Sequence, residues 1–203
     1  MSFTGIFSTK DGLVALADSK GSIHEGDKLT KDISRTPQKL FAFPSGVAVT
    51  YGANQFLLQN PNQIFSKKIN IEDFVLDYLS KHITLDSNFF EDLLVKMGSS
   101  SSNQPVNFIV GRKIREGEYR LEHHQVGFDH YVQKIASNGQ WYFIGGDELY
   151  VQTFHQMDLL KEKTSASHLQ SFLSGRLQML IQFYDDILSY NSVGGSVQSF
   201  IFR

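Results

Sequence analysis

The feature that most constrains this chain is the stretch "FTGIFSTKDGLVALAD", from Phe3 to Asp18. "FTGIFS" alternates with period two, "TKDG" supplies a turn, and "LVALAD" is apolar at almost every position. Alternation marks a strand with one buried face, and an unbroken apolar run marks a strand buried more fully. The hairpin begins directly behind Met1, where most chains carry a frayed and dispensable end. An N-terminus built into a sheet from its second residue is expected to have a task of its own.

Further along, segregated runs of strands and helices follow. Residues 19–37 are polar and rich in Gly, Ser and Thr, and read as a long loop closing at Pro37. "KLFAF", "PSG" and "VAVTYG" predict a second hairpin. From Ala53 to Ile83 the pattern turns helical, interrupted at Pro61, and Asn70 is the expected N-cap of "IEDFVLDYL". Ser87 is the expected cap of the next helix, "NFFEDLLVKM", ending at Gly98, with "SSSSNQ" as a short loop behind it. "VNFIVGR", "EYRLEHHQV", "YVQKIAS" and "QWYFIG" read as four strands. Asp147 is expected to cap "ELYVQTFHQM", residues 165–189 carry the longest helical pattern, and "GGSVQSFIFR" reads as a last strand. Strands and helices in separate runs predict stacked sheets with helices outside, not a doubly wound parallel sheet.

Composition narrows the chemistry. The 203 residues are 41% hydrophobic and 20% charged, which suits one globular domain over 1–203. The chain has no cysteine, so thiolate nucleophiles, disulfides and cysteine metal sites are excluded, in keeping with a cytoplasmic setting. A formal net charge of −2 with scattered Lys and Arg leaves no footprint for nucleic acid or membrane. No apolar run reaches membrane-spanning length, and no signal-peptide pattern opens the chain. His123 and His124 adjoin on a strand and point to opposite faces, so they and His130 predict no metal site. "GQWYFIGG" lacks the strand and helix context of a nucleotide loop, so no cofactor is expected.

Four segments, in this order, resemble the proteasome β-type subunits and their bacterial relatives: "KDGLVALADSK", "KLFAFPSGVAVTYGANQF", "WYFIGGDELYV" and "SVGGSVQSFIF". The resemblance implies a four-layer αββα sandwich, mixed α and β, and the N-terminal nucleophile (Ntn) hydrolase mechanism. In that mechanism an N-terminal hydroxyl residue attacks an amide carbonyl while its own α-amine serves as base. An α-amine titrates near 8, against about 10.4 for lysine, and so suits proton transfer at neutral pH. Carried over residue by residue, Ser2 takes the nucleophile's position once Met1 is removed. Asp18 takes the conserved acidic position, Lys39 the lysine, and Gly52 the oxyanion loop. Here Ser2 replaces the usual threonine and precedes the bulky Phe3. Gly146 and Asp147 fall where the family has Gly-Ser-Gly, and Tyr190 and Val193 where it has an Asp and a Ser, with Asn191 one step away. Thr4, followed by Gly5, is a second nucleophile candidate that would need cleavage after Phe3. The implied function is a peptidase or amidase acting as a homo-oligomer, in a ring or stack, on a peptide or amide substrate. A non-catalytic proteasome-like subunit and a small-molecule amidase are the alternatives.

Overall fold

A computed structural model describes residues 2–25, 28–32, 36–58, 67–98, 104–127, 129–156 and 164–203, with backbone alone at 22–25, 28–32, 57–58 and 67. In chain order the strands begin with β1 (Phe3–Thr9), β2 (Gly12–Ala17), β3 (Ser22–Glu25), β4 (Lys28–Asp32), β5 (Leu40–Phe43), β6 (Gly46–Gly52), β7 (Gln55–Leu58) and β8 (Lys67–Asn70). Helices α1 (Ile71–Leu79) and α2 (Ser87–Gly98) follow. Next come β9 (Val106–Arg115), β10 (Glu118–Val126), β11 (Tyr131–Ile135) and β12 (Tyr142–Gly146), then α3 (Glu148–His155), α4 (Ala166–Ile187) and β13 (Gln198–Phe202).

Two antiparallel sheets carry the fold: β12-β1-β2-β13, and β11-β10-β9-β6-β5. The first hairpin shows why its sequence reads as it does. Phe3, Phe7, Val14 and Leu16 pack under α3 and α4 with Tyr150, Phe154, Leu173 and Leu177. From the same strands, Ile6, Leu13, Ala15 and Ala17 meet Val47, Val49 and Ile109 of the other sheet. Strand β2 is thus buried on both faces, as its unbroken apolar run requires. On the far side, Phe41, Ala48, Phe108 and Val110 pack against Val75, Phe89, Phe90 and Leu93 of α1 and α2. The layers therefore run α, β, β, α. No helix among the described residues is long and apolar enough to cross a membrane.

Several local expectations are corrected. Within the expected loop 19–37, β3 and β4 pair with each other and, among the described residues, with no other strand. Backbone pairing needs no apolar alternation, so a polar hairpin leaves little trace in hydropathy. The helical reading from Ala53 also fails at its start, because β7 and β8 pair antiparallel before α1 begins. Phe56 of β7 is buried against the helical layer, where its ring lies 6.4 Å from Phe74, so an apolar residue of a short strand mimicked a helical stripe. Pro61 and residues 99–103 of the expected serine loop lie outside the described residues. Asn70 stands at the N-cap of α1, but its amide donates to Asp73 Oδ2 at 2.7 Å and no side-chain cap bond reaches the backbone. Ser87 is already helical; Asp86 before it accepts the Phe89 N–H at 3.3 Å. Asp147 does cap α3, accepting the Leu149 N–H at 3.0 Å.

Candidate active site

The antiparallel register of β1 and β2 brings the start of one strand beside the end of the other. Ser2 and Asp18 are therefore neighbours by local folding alone: Phe3 N donates to Asp18 Oδ1 at 2.9 Å, and Asp18 N to Phe3 O at 3.0 Å. Lys39 arrives from the other sheet, immediately before β5. Its backbone is fixed to β13, with Lys39 N donating to Gln198 Oε1 at 3.0 Å and Gln198 Nε2 to Pro37 O at 2.9 Å.

The three side chains converge. Lys39 Nζ donates to Ser2 Oγ at 3.0 Å, to Asp18 Oδ1 at 2.8 Å and to Lys20 O at 2.7 Å. Three acceptors use all three N–H bonds of an ammonium. Exposure is 1% for Ser2, 0% for Asp18 and 1% for Lys39, so the contacts operate away from water. Burial pushes the pKa of Lys39 below the ordinary lysine value, and the Asp18 carboxylate opposes that shift. Asp18 accepts from Phe3 N and Lys39 Nζ on one oxygen and from Lys20 N and Gly194 N on the other, at 3.1 and 3.2 Å for the latter pair. A buried carboxylate needs such a shell, because an unpaired buried charge is costly.

The Ser2 backbone is held as firmly. Asp147 N donates to Ser2 O at 2.6 Å. Gly146 beside it has φ +120°, and a Cβ there would stand 1.7 Å from Ser2 O, so only glycine allows this approach. The Asp147 side chain, besides capping α3, accepts from Ser192 Oγ. Gly52 comes from the larger sheet. It ends β6 with φ +93°, close to Pro105 and Asn107, and no described hydrogen bond joins it to Ser2, Asp18 or Lys39. Its neighbour Tyr51 reaches across to the Ser2 side: the ring occupies the space a Cβ on Gly145 would need. Thr4 is buried within β1 between Gly145 and Ala17, with its hydroxyl oxygen unpartnered. A hollow of about 100 Å³ opens beside Lys39, lined also by Thr50, Asn54, Gln55 and Glu72.

Sequence reasoning missed Lys20 and Gly194 as partners of the charged pair, and Ser192 as the partner of Asp147. Only Asn191 and the "GG" of "SVGG" gave any signal, through their place in the last resembling segment. His123 and His124 do part to opposite faces: His123 pairs with Tyr51 OH at 2.8 Å, and His124 with Glu122 at 3.0 Å. Among the described residues no group of three or more His, Asp or Glu is placed to hold a metal ion. Chemically, a serine hydroxyl under a buried ammonium is one whose oxyanion is stabilised by charge.

The sequence matches no protein-family model and no curated protein. Solved structures do match. Anbu from Yersinia bercovieri, described as an ancestral beta-subunit, superposes with a TM-score of 0.61 at 16% identity, covering 98% of this chain and 81% of that one. The helical assembly of the Anbu complex from Pseudomonas aeruginosa gives 0.59 at 18% identity, covering 98% and 80%. BPH from Thiobacillus denitrificans, solved with epoxomicin, gives 0.53 at 12% identity, covering 98% and 97%. At these identities the likeness establishes the fold alone, a proteasome-like αββα sandwich.

Proposed function

We propose that this chain is a proteasome-like N-terminal nucleophile hydrolase, cleaving peptide or amide bonds with Ser2 after Met1 is removed. The observation that supports it is the buried line from Ser2 Oγ through Lys39 Nζ to Asp18, at 3.0 and 2.8 Å. In this reading the freed Ser2 α-amine takes the Oγ proton, and Oγ bonds to the substrate carbonyl carbon. The tetrahedral intermediate then breaks its C–N bond, and the departing amine carries the proton away. Water, deprotonated by the Ser2 α-amine, attacks the resulting ester carbonyl; the C–Oγ bond breaks, the amine returns its proton to Oγ, and Ser2 is restored. Lys39 holds positive charge beside the developing oxyanion, and Asp18 holds Lys39. The backbone of the Gly52 segment receives the oxyanion, an assignment that the family resemblance supports.

The reading includes self-association. Met179, Phe183 and Ile187 form an exposed apolar stripe along α4, at spacings that place them on one helix face. A helical assembly is described for Anbu from Pseudomonas aeruginosa.

The test is made on protein whose intact mass shows Met1 removed. An epoxyketone, which closes a ring with the hydroxyl and amine of an N-terminal Ser or Thr, is expected to label Ser2. Ser2→Ala is expected to abolish both labelling and hydrolysis of short fluorogenic peptides while leaving the fold intact. If processed protein neither labels nor hydrolyses and Ser2→Ala behaves identically, the chain is a non-catalytic subunit of the same fold.

A further inference from the structure

The loop between α4 and β13 ends on the Asp18 carboxylate, 176 residues away in sequence, through Gly194 N at 3.2 Å. A second bond runs back from Ser19 N to Gly194 O at 3.1 Å. The loop is also held where Ser192 Oγ donates to Asp147, where Ser196 Oγ meets Ser19 Oγ at 3.0 Å, and where Val193 is buried with Tyr150 and Leu177. One buried side chain joins it by hydrogen bonds to both α3 and α4. Asn191, 4% exposed, uses both ends of its amide on different elements. Oδ1 accepts from Tyr150 OH of α3 at 3.0 Å and from Val193 N at 3.2 Å. Nδ2 donates to Ile181 O and Asp185 Oδ1 of α4, at 3.3 and 3.0 Å. Its own carbonyl accepts from Lys20 Nζ at 2.9 Å, and Lys20 O in turn accepts from Lys39 Nζ at 2.7 Å.

We infer that Asn191 is a positioning residue for the Ser2 centre: it docks the 188–197 loop on α3 and α4 so that Gly194 presents its N–H to Asp18. The inference rests on the hydrolase reading above for its kinetic consequence, and on geometry alone for the docking. Asparagine is the residue type the place requires. The site offers two donors, Tyr150 OH and Val193 N, opposite two acceptors, Ile181 O and Asp185, and only an amide matches both. Aspartate would set a second carboxylate against Asp185, and leucine would take away the acceptor of the Tyr150 hydroxyl and the Val193 N–H. Removing the Gly194 N–H leaves Asp18 Oδ2 with the Lys20 N–H alone. Phe3 N and Lys39 Nζ still hold Oδ1, so what is lost is the one contact that fixes Oδ2 from the loop side, and with it part of the constraint on how Asp18 meets Lys39.

The experiment compares three variants of processed full-length protein. Asn191→Ala removes the dock; Tyr150→Phe removes one hydroxyl from it; Tyr184→Phe removes the hydroxyl that links α4 to Thr153 of α3 at 3.3 Å without touching Asn191. Amide exchange is read by mass spectrometry on peptides carrying Ser19 and Gly194. Peptide hydrolysis is resolved into kcat and KM. Asn191→Ala is expected to lose protection at both amides and to lower kcat by about 10- to 100-fold, the scale of a small misplacement, with KM unchanged because Asn191 lies outside the hollow beside Lys39. Tyr150→Phe follows in the same direction to a smaller extent, and Tyr184→Phe does neither. Should Asn191→Ala fail to fold, Tyr150→Phe against Tyr184→Phe carries the comparison. Unchanged exchange in Tyr150→Phe, or equal losses in Tyr184→Phe, overturns the inference. If unsubstituted processed protein shows no hydrolysis, the hydrolase reading fails, and the exchange arm still decides the docking.

Discussion

The Ser2 centre and the Glu122 network are both buried clusters of charge, the first where β1 and β2 of one sheet meet the start of β5 of the other, the second on β9 and β10 of the larger sheet. Around Glu122, one carboxylate oxygen accepts from Arg112 Nε at 3.2 Å and His124 Nε2 at 3.0 Å, and the other forms an ion pair with Arg120, Nε lying 2.7 Å away. Arg112 also donates from Nη1 to Thr84 Oγ1 and from Nη2 to the Leu85 carbonyl. His124 pairs with Tyr131 OH at 2.7 Å and stacks on Phe90 at 3.9 Å. The network ties the start of α2 to β9 and β10, and each of its charged groups is answered by another protein group. Around Ser2 the arrangement differs by one atom: a serine oxygen whose contact is a cation. The hollow beside Glu122 is also the larger, about 320 Å³ against about 100 Å³ at Lys39. Buried charge and cavity volume therefore do not separate the two centres. The presence of a nucleophile at a fixed place does.

The largest effect that could break this contrast is expected from Lys39→Ala. It should slow Ser2 acylation by about 10²–10³-fold, the usual cost of one lost electrostatic contact at a developing oxyanion. It should also lower stability by about 3–5 kcal/mol, because Asp18 is left buried without its cation. Labelling kinetics and urea unfolding read the two effects separately, and an unimpaired labelling rate would erase the distinction between the centres.

Glu122→Gln is expected to lower stability by about 3 kcal/mol, since Arg120 is half in solvent, while acylation proceeds at the original rate. A fall in rate on the same scale as the fall in stability would mean that the two centres are coupled.

Titration sharpens the contrast further. Burial and the nearby Lys134 and His124 push His123 down to about 4. Unfolded histidine titrates near 6.5, so between about 6.5 and 4 the unfolded state binds more protons. Stability present above 6.5 is therefore lost as pH falls through that window, and His123→Phe is expected to flatten the slope there. Burial alone would raise Glu122, but the His124 hydrogen bond and the Arg112 and Arg120 charges outweigh it and hold the carboxyl at about 2. Its contribution is full above about 4.5 and is lost between there and 2, so Glu122→Gln should flatten only the lower window. Urea midpoints measured across pH separate the two.

The smallest effect is expected at the surface. Lys81 and Asp77 form an exposed i,i+4 pair at 2.8 Å. Lys81→Ala should change stability by about 0.5 kcal/mol or less, an amount that a salt titration should erase. A cost comparable to that of Glu122→Gln would show that burial is not what gives the interior networks their weight.

What the sequence determined by itself is what neighbours along the chain decide. The Phe3–Asp18 hairpin was legible because the period-two pattern and its turn fix register, and that register alone sets Ser2 beside Asp18. Asp147 was legible as a cap because capping is a contact across two residues. The β3–β4 and β7–β8 pairs were not legible, since strand pairing is satisfied by backbone groups that every residue carries. Lys39 could be named only through resemblance, and its place over Ser2 was decided by how one sheet stacks on the other. Asn191 and Gly194 lie further still from legibility. Their partners sit on α3, α4 and the far end of β2, and no local pattern records a hydrogen bond that forms only once four layers have packed.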